Sequence, residues 1–148
     1  ELANNDYSSG EFDFRTIRIE RVYEDNVPQI PCEKNKIQQV FLNILQNGAQ
    51  AMFSTSTASA DPVFFLRVCR ETEMVRIEVE DNGPGMDNLT KKRIFEPFYT
   101  TKEVGKGTGL GLSVSYFIIT EHHGGTLNVE TKKNQGANFI IRLPLTLV

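Results

Sequence analysis

One segment commits the chain to a layered fold. Across residues 35–52, Ile37, Val40, Phe41, Ile44, Leu45, Gly48 and Met52 recur at intervals of three and four. That period gathers apolar groups into one stripe along an α-helix, and such a stripe needs a surface to cover it. Segments of period two supply the surface. Met74–Asp81 alternates strictly, with Val75, Ile77 and Val79 on one face and Arg76, Glu78 and Glu80 on the other, as a strand with one covered face does. Residues 12–23, where Ile17 and Ile19 share a face, and residues 63–70 read as two further strands. Leu127 and Val129, then Phe139, Ile141 and Leu143, read as two closing strands joined in a hairpin at Asn134–Gly136. A second helix is predicted from Leu110, Val114, Phe117, Ile118 and Glu121, stopped by Gly124-Gly125.

Residues 82–108 hold no sustained periodicity and are rich in glycine and proline. Aperiodic stretches of that length are uncommon in compact domains and usually functional, so residues 87–108 read as a lid, interrupted by a short helix around 88–94. The element order β, α, β, β, lid, α, β, β predicts an α+β, two-layer sandwich: a mixed, mostly antiparallel sheet with helices on one face. Residues 1–11 are polar and read as a linker remnant, leaving 12–148 as one domain. A net charge of −3 and a pI near 5.4 argue against nucleic-acid binding. No run approaches the roughly 18 apolar residues of a membrane span, so no membrane contact is expected. Cys32 and Cys69 have no metal-like spacing and read as structural thiols in a reducing, cytoplasmic compartment.

Several residues carry chemistry. Asn43 and Asn47 lie one above the other on the flank of the first helix, with Gln50 beside them. A carboxamide oxygen is a hard neutral ligand suited to Mg²⁺, although paired asparagines on a helix are also ordinary solvated residues. Asp81 falls in phase with Val75, Ile77 and Val79, so its carboxylate points to the covered side, where the strand breaks into Asn82-Gly83-Pro84-Gly85-Met86. An acceptor-only group in a glycine-lined pocket suits an exocyclic amine such as that of adenine; an Asx turn with its own backbone is the other reading. Gly105-Lys106-Gly107-Thr108-Gly109-Leu110-Gly111-Leu112 opens the second helix as a glycine-rich anion site, yet fits neither the dinucleotide fingerprint nor the P-loop spacing. Lys91, Lys92, Arg93, Lys102 and Lys106 concentrate positive charge around Phe95-Glu96-Pro97-Phe98-Tyr99, an apolar cluster suited to fastening a lid. His122 and His123, at the end of the second helix, are expected to complement its dipole as cations rather than bind metal.

Taken in order, these segments resemble the four boxes of the GHKL ATP-binding superfamily, and within it the catalytic domain of bacterial two-component sensor histidine kinases. NKIQQVFLNILQNGAQAM (35–52) is similar to the N box, DNGPGM (81–86) to the G1 box, RIFEPFYTTK (93–102) to the F box and GKGTGLGL (105–112) to the G2 box. The N box and lid look most like the nitrogen-regulator-type subgroup. The resemblance implies that ATP and Mg²⁺ are bound, with Asn47 the metal ligand and Asn43 its companion. Asp81 would read adenine in a pocket shaped by Gly83 and Gly85. Gly107, Thr108, Gly109, Leu110, Gly111 and Leu112 would meet the phosphates, with Lys102 and Lys106 as further contacts. Gln50 stands where many relatives carry a basic residue.

The superfamily's hydrolases place a glutamate where this chain has Asn43, and an amide is no general base. The resemblance therefore implies transfer of the γ-phosphoryl group rather than hydrolysis. Its acceptor would be a histidine on a separate dimerisation domain of the same homodimeric kinase, which then serves a response-regulator receiver domain. A serine-directed kinase of the anti-sigma-factor type and a non-catalytic nucleotide sensor are the alternatives.

Overall fold

The computed structural model describes residues 14–53, 61–101 and 109–146. The expected linker and four of the expected site residues (Lys102, Lys106, Gly107 and Thr108) lie outside them. Five strands form one sheet: β1 (Arg18–Tyr23), β2 (Val63–Arg70), β3 (Met74–Asp81), β4 (Thr126–Thr131) and β5 (Ala137–Pro144), in spatial order β1-β2-β3-β5-β4. β1 and β2 are parallel, and the remaining neighbours are antiparallel. The parallel pair follows from the chain crossing through a helix between them, because a parallel return needs a long connection. The mixed, mostly antiparallel two-layer sandwich is the one expected from the sequence.

That crossover helix is α1 (Lys34–Phe53). Its stripe buries Ile37, Val40, Ile44, Ala49 and Met52 against Phe64, Val79, Phe139 and Ile141 of the sheet. α2 (Asn88–Arg93) is capped by Asp87, whose carboxylate accepts from Thr90 N at 2.8 Å; that bond holds the carboxyl below its usual pKa. α3 (Gly111–Phe117) runs into a single wide π turn, Ile118–His122. The second predicted helix is thus two winding types in succession, with Ile118 and Ile119 of the wide turn buried in the core.

The strand expected over 12–23 begins later than the alternation suggested. Phe14–Thr16 form a 3₁₀ turn, and Phe14 stacks on Phe64 with ring centroids 6.0 Å apart. Burying one large ring there outweighs extending the strand, which has only Ile19 partly covered. Both cysteines are free thiols; Cys32 is exposed and so is not the structural thiol expected, whereas Cys69 is half-buried. No helix among the described residues is long and apolar enough to cross a membrane.

The histidines also depart from expectation. Glu33 N can only donate and Ile118 O can only accept. His123 receives the first at Nε2 (3.0 Å) and donates to the second from Nδ1 (2.8 Å). His122 accepts from Lys36 Nζ through Nδ1 at 2.8 Å. Together the two rings pin the start of α1 to the end of the π turn, a role the sequence did not show.

Gly48 sets how closely α1 lies on the sheet. A Cβ there would sit 2.7 Å from Phe64 Cε1 and 3.2 Å from Asp81 Oδ2, and Phe64 is fully buried with nowhere to swing. Gly48→Ala gains about 1 kcal/mol in helix propensity but overpacks at a cost of roughly 1–3 kcal/mol. We expect a lowered denaturant midpoint at unchanged m-value; a midpoint at or above the parent's would refute the close contact.

Candidate nucleotide site

The site grows from the end of β3, where Asp81 is only 5% exposed. Its carboxylate accepts from Gly83 N at 2.9 Å and from the backbone of Ala137. The Asx-type bond is therefore present, and the carboxylate is buried as the strand phase predicts. Burial pushes its pKa up to about 6; the two backbone bonds oppose that shift, and neighbouring Glu80 adds to it. Glycines surround the carboxylate: a Cβ on Gly83 would approach its Oδ1 to 2.9 Å and Met52 Cγ to 3.4 Å.

The turn after Asp81 is held by the hairpin between β4 and β5. Gly85 adopts φ +70°, and a Cβ on it would collide with the carbonyls of Lys132 and Gly136. Asn134 N donates to Pro84 O at 2.5 Å. Met86 N donates to Thr131 Oγ1 at 3.0 Å, and that hydroxyl donates to Gly136 O at 2.7 Å. Asn82 closes the other side, accepting from Val63 N at 3.0 Å and donating to Asp61 O at 2.9 Å. Thr131 and Asn82 were invisible in the sequence, since nothing local marks a lone Thr or Asn as a tie between distant segments.

Along α1, Gly48 and Met52 meet Asp81 and Gly83, while Asn43 meets the head of α3. Asn43 Nδ2 donates to Gly111 O at 3.0 Å and to Ser115 Oγ at 3.1 Å. Asn47 lies between the two ends, half-buried, and its carboxamide makes no hydrogen bond among the described residues. At 1.5 Å per residue, the five to nine residues from Asn43 to Gly48 and Met52 span about 8–13 Å. The helix thus lines up a buried acceptor, an unengaged carboxamide and a glycine-opened helix start. An unengaged amide oxygen on a rigid helix suits Mg²⁺, which takes few protein ligands and keeps its waters.

The lid is fastened by less of its apolar cluster than expected. Phe95 packs against Tyr116 (5.2 Å) and edge-on to Phe139 (6.4 Å), whereas Phe98 is 73% exposed with φ +65°. Phe98 N donates to Gly109 O at 2.9 Å, joining the middle of the lid segment to the residue that follows it. Gly109, itself at φ +68°, has Phe98 backbone where a Cβ would be, so the neck admits no side chain there. Arg93 is not a loose cation: it bonds Glu96 at 3.0 Å and lies 4.6 Å over the Tyr99 ring. Lys91 and Lys92 are exposed.

This fold and site define the class. The chain belongs to the family described as histidine kinase-, DNA gyrase B- and HSP90-like ATPases, whose model matches residues 32–147. Within it, the chain is 43% identical over 121 residues to sporulation kinase E of Bacillus subtilis (strain 168), a match covering 82% of this chain and 15% of that protein. It superposes on the nucleotide-free catalytic domain of the histidine kinase ThkA with a TM-score of 0.75 at 30% identity, covering 89% of this chain and 82% of that one. ThkA in complex with the response regulator TrrA matches with a TM-score of 0.70 at 26% identity, covering 88% of this chain and 34% of that one.

A carboxyl raised from 3.8 to about 6 disfavours the folded state once ionised. Its contribution is complete below pH 3.8 and is lost as pH rises through 6, to the extent of about 3 kcal/mol. Asp81→Asn should therefore raise the melting temperature of the ligand-free chain at pH 8, with the gain shrinking toward pH 4. A gain equal at both pH values, or none, would contradict the buried charge.

Proposed function

We propose that this chain is the ATP-binding half of a sensor histidine kinase. It holds ATP with Mg²⁺ and presents the γ-phosphoryl group to a histidine on a separate dimerisation domain of the same protein, for relay to a response-regulator receiver domain. The observation that carries this reading is the order of groups along α1. A buried acceptor, an unengaged amide and a glycine-opened helix start follow one another in the sequence of nucleobase, metal and phosphates. Family membership and the naming of relatives as kinases support it.

On this reading Asp81 accepts from the exocyclic amine of adenine, and Gly83 and Gly85 leave room for the ring. Asn47 holds the magnesium, which when bound neutralises charge on the phosphate oxygens. Backbone amides from Gly107 to Leu112 meet the phosphates, with Lys102 and Lys106 closing over them. Asn43 supplies no base for water, so the phosphorus–oxygen bond to ADP breaks as the acceptor imidazole nitrogen bonds phosphorus. Such transfer needs mainly positioning and charge neutralisation.

Mixing the intact kinase with γ-labelled ATP should give an acid-labile, base-stable label on histidine. Acid-stable label would instead favour a serine-directed kinase, and ATP binding without transfer a nucleotide sensor. At the adenine end, Asp81→Asn should weaken adenosine binding by about 1.5–3 kcal/mol. Because only the ionised carboxylate is a pure acceptor, adenosine affinity of the parent should fall below pH 6, while that of the variant stays flat. Equal affinities in calorimetry would remove Asp81 from the adenine pocket.

A further inference from the structure

We infer that Ser115 is a positioning residue for the phosphate end of the site, acting through Asn43 and Gly111; the inference rests on the ATP-binding reading above. Ser115 is wholly buried, at 0% exposure, on the face of α3 turned to α1. A buried hydroxyl is costly unless its hydrogen-bonding capacity is used. Here both roles are used: Ser115 Oγ donates to Gly111 O at 2.8 Å and accepts from Asn43 Nδ2 at 3.1 Å. Asn43 Nδ2 also donates to Gly111 O at 3.0 Å, so three groups close a triangle between the two helices.

The triangle settles the orientation of the Asn43 amide. Gly111 O can only accept, so the nitrogen faces α3, which leaves the oxygen as the group Asn43 can offer elsewhere. It also fixes the first turn of α3. Alanine at position 115 would satisfy the apolar contact between the helices equally well, whereas the hydroxyl adds direction. It locks the rotation and register of Gly111 against α1 one residue beyond Leu110 and two beyond Gly109, the segment assigned to the phosphates. A serine bonding its own i−4 carbonyl is common in helices; one that also receives an amide from the neighbouring helix couples two segments of the site. Among the described residues the adenine end, built on Asp81, Gly83 and the β4–β5 hairpin, shares no hydrogen bond with this triangle.

The test is calorimetry of the 148-residue chain with ATP·Mg²⁺ and, separately, adenosine. In Ser115→Ala, affinity for ATP·Mg²⁺ should fall roughly threefold to tenfold, the worth of one hydrogen bond, with adenosine affinity held within about twofold. Thr120→Ala, which removes an exposed hydroxyl bonded to Tyr116 O on the same helix, should change neither. In Asn43→Ala, adding Ser115→Ala should cost little more, because both act through one triangle. If Ser115→Ala does not fold, Ser115→Cys, with a weak donor of similar size, should show the same split to a smaller degree. Unchanged ATP·Mg²⁺ affinity, or equal losses for ATP·Mg²⁺ and adenosine, would overturn the inference and leave the ATP reading intact. A parent chain that binds neither ligand would overturn the ATP reading itself.

Discussion

The site depends on keeping one carboxylate almost out of water. Asp81 ends the central strand of the sheet on its helix-covered side, where a charge costs free energy unless hydrogen bonds replace its hydration. Two backbone N–H groups provide that replacement, and neither is a cation. The carboxyl therefore stays partly uncompensated, as its raised pKa records, and has affinity to spare for a donor. On the proposed reading of Asp81, stability and recognition pull in opposite directions, which is common where a polar group is held ready for a ligand.

Three close approaches make this burial possible. Gly48 lets α1 settle over Phe64 and the carboxylate, Gly83 lets the chain turn against it, and Gly136 brings the β4–β5 hairpin over the Asp81 carbonyl. Each works by omitting a side chain, so the pocket is defined as much by missing Cβ atoms as by present groups. The hairpin then grips the turn through Thr131 and Asn134. At the other end the head of α3 is tied to α1 by side chains, and a backbone bond joins Phe98 to Gly109.

The face of the sheet turned away from the helices is built differently. Arg67 pairs with Glu78 and Glu80, Arg76 with Glu71 and Glu78, and Arg142 with Glu71, while Asn138 donates to Glu78 at 2.7 Å. Cross-strand pairs of opposite charge stabilise a sheet face modestly. They let one face of β3 remain hydrophilic while the other carries the core and ends in Asp81. The strict alternation of Met74–Asp81 is the sequence trace of that division.

Periodicity made most of the fold legible. The stripe of α1, the alternation of β3 and the turn at Asn134–Gly136 were readable because each is a local pattern repeated along the chain. The candidate residues Asn43, Asn47 and Asp81 were legible by phase on their elements, whereas the close approach at Gly48 was not, because it depends on Phe64 and Asp81 across the layer. The 3₁₀ turn at Phe14 was not, because its cause is the ring of Phe64 some fifty residues away. The bonds of His123 were equally hidden, since its partners are backbone groups of Glu33 and Ile118. The sequence alone determined which elements form and which face of each is covered, because those follow from spacing. Only the tertiary structure decided which polar groups meet: Asn43 with Gly111 and Ser115, Thr131 with the turn after Asp81. A hydrogen bond depends on distance and direction in space, and neither is written in the order of residues.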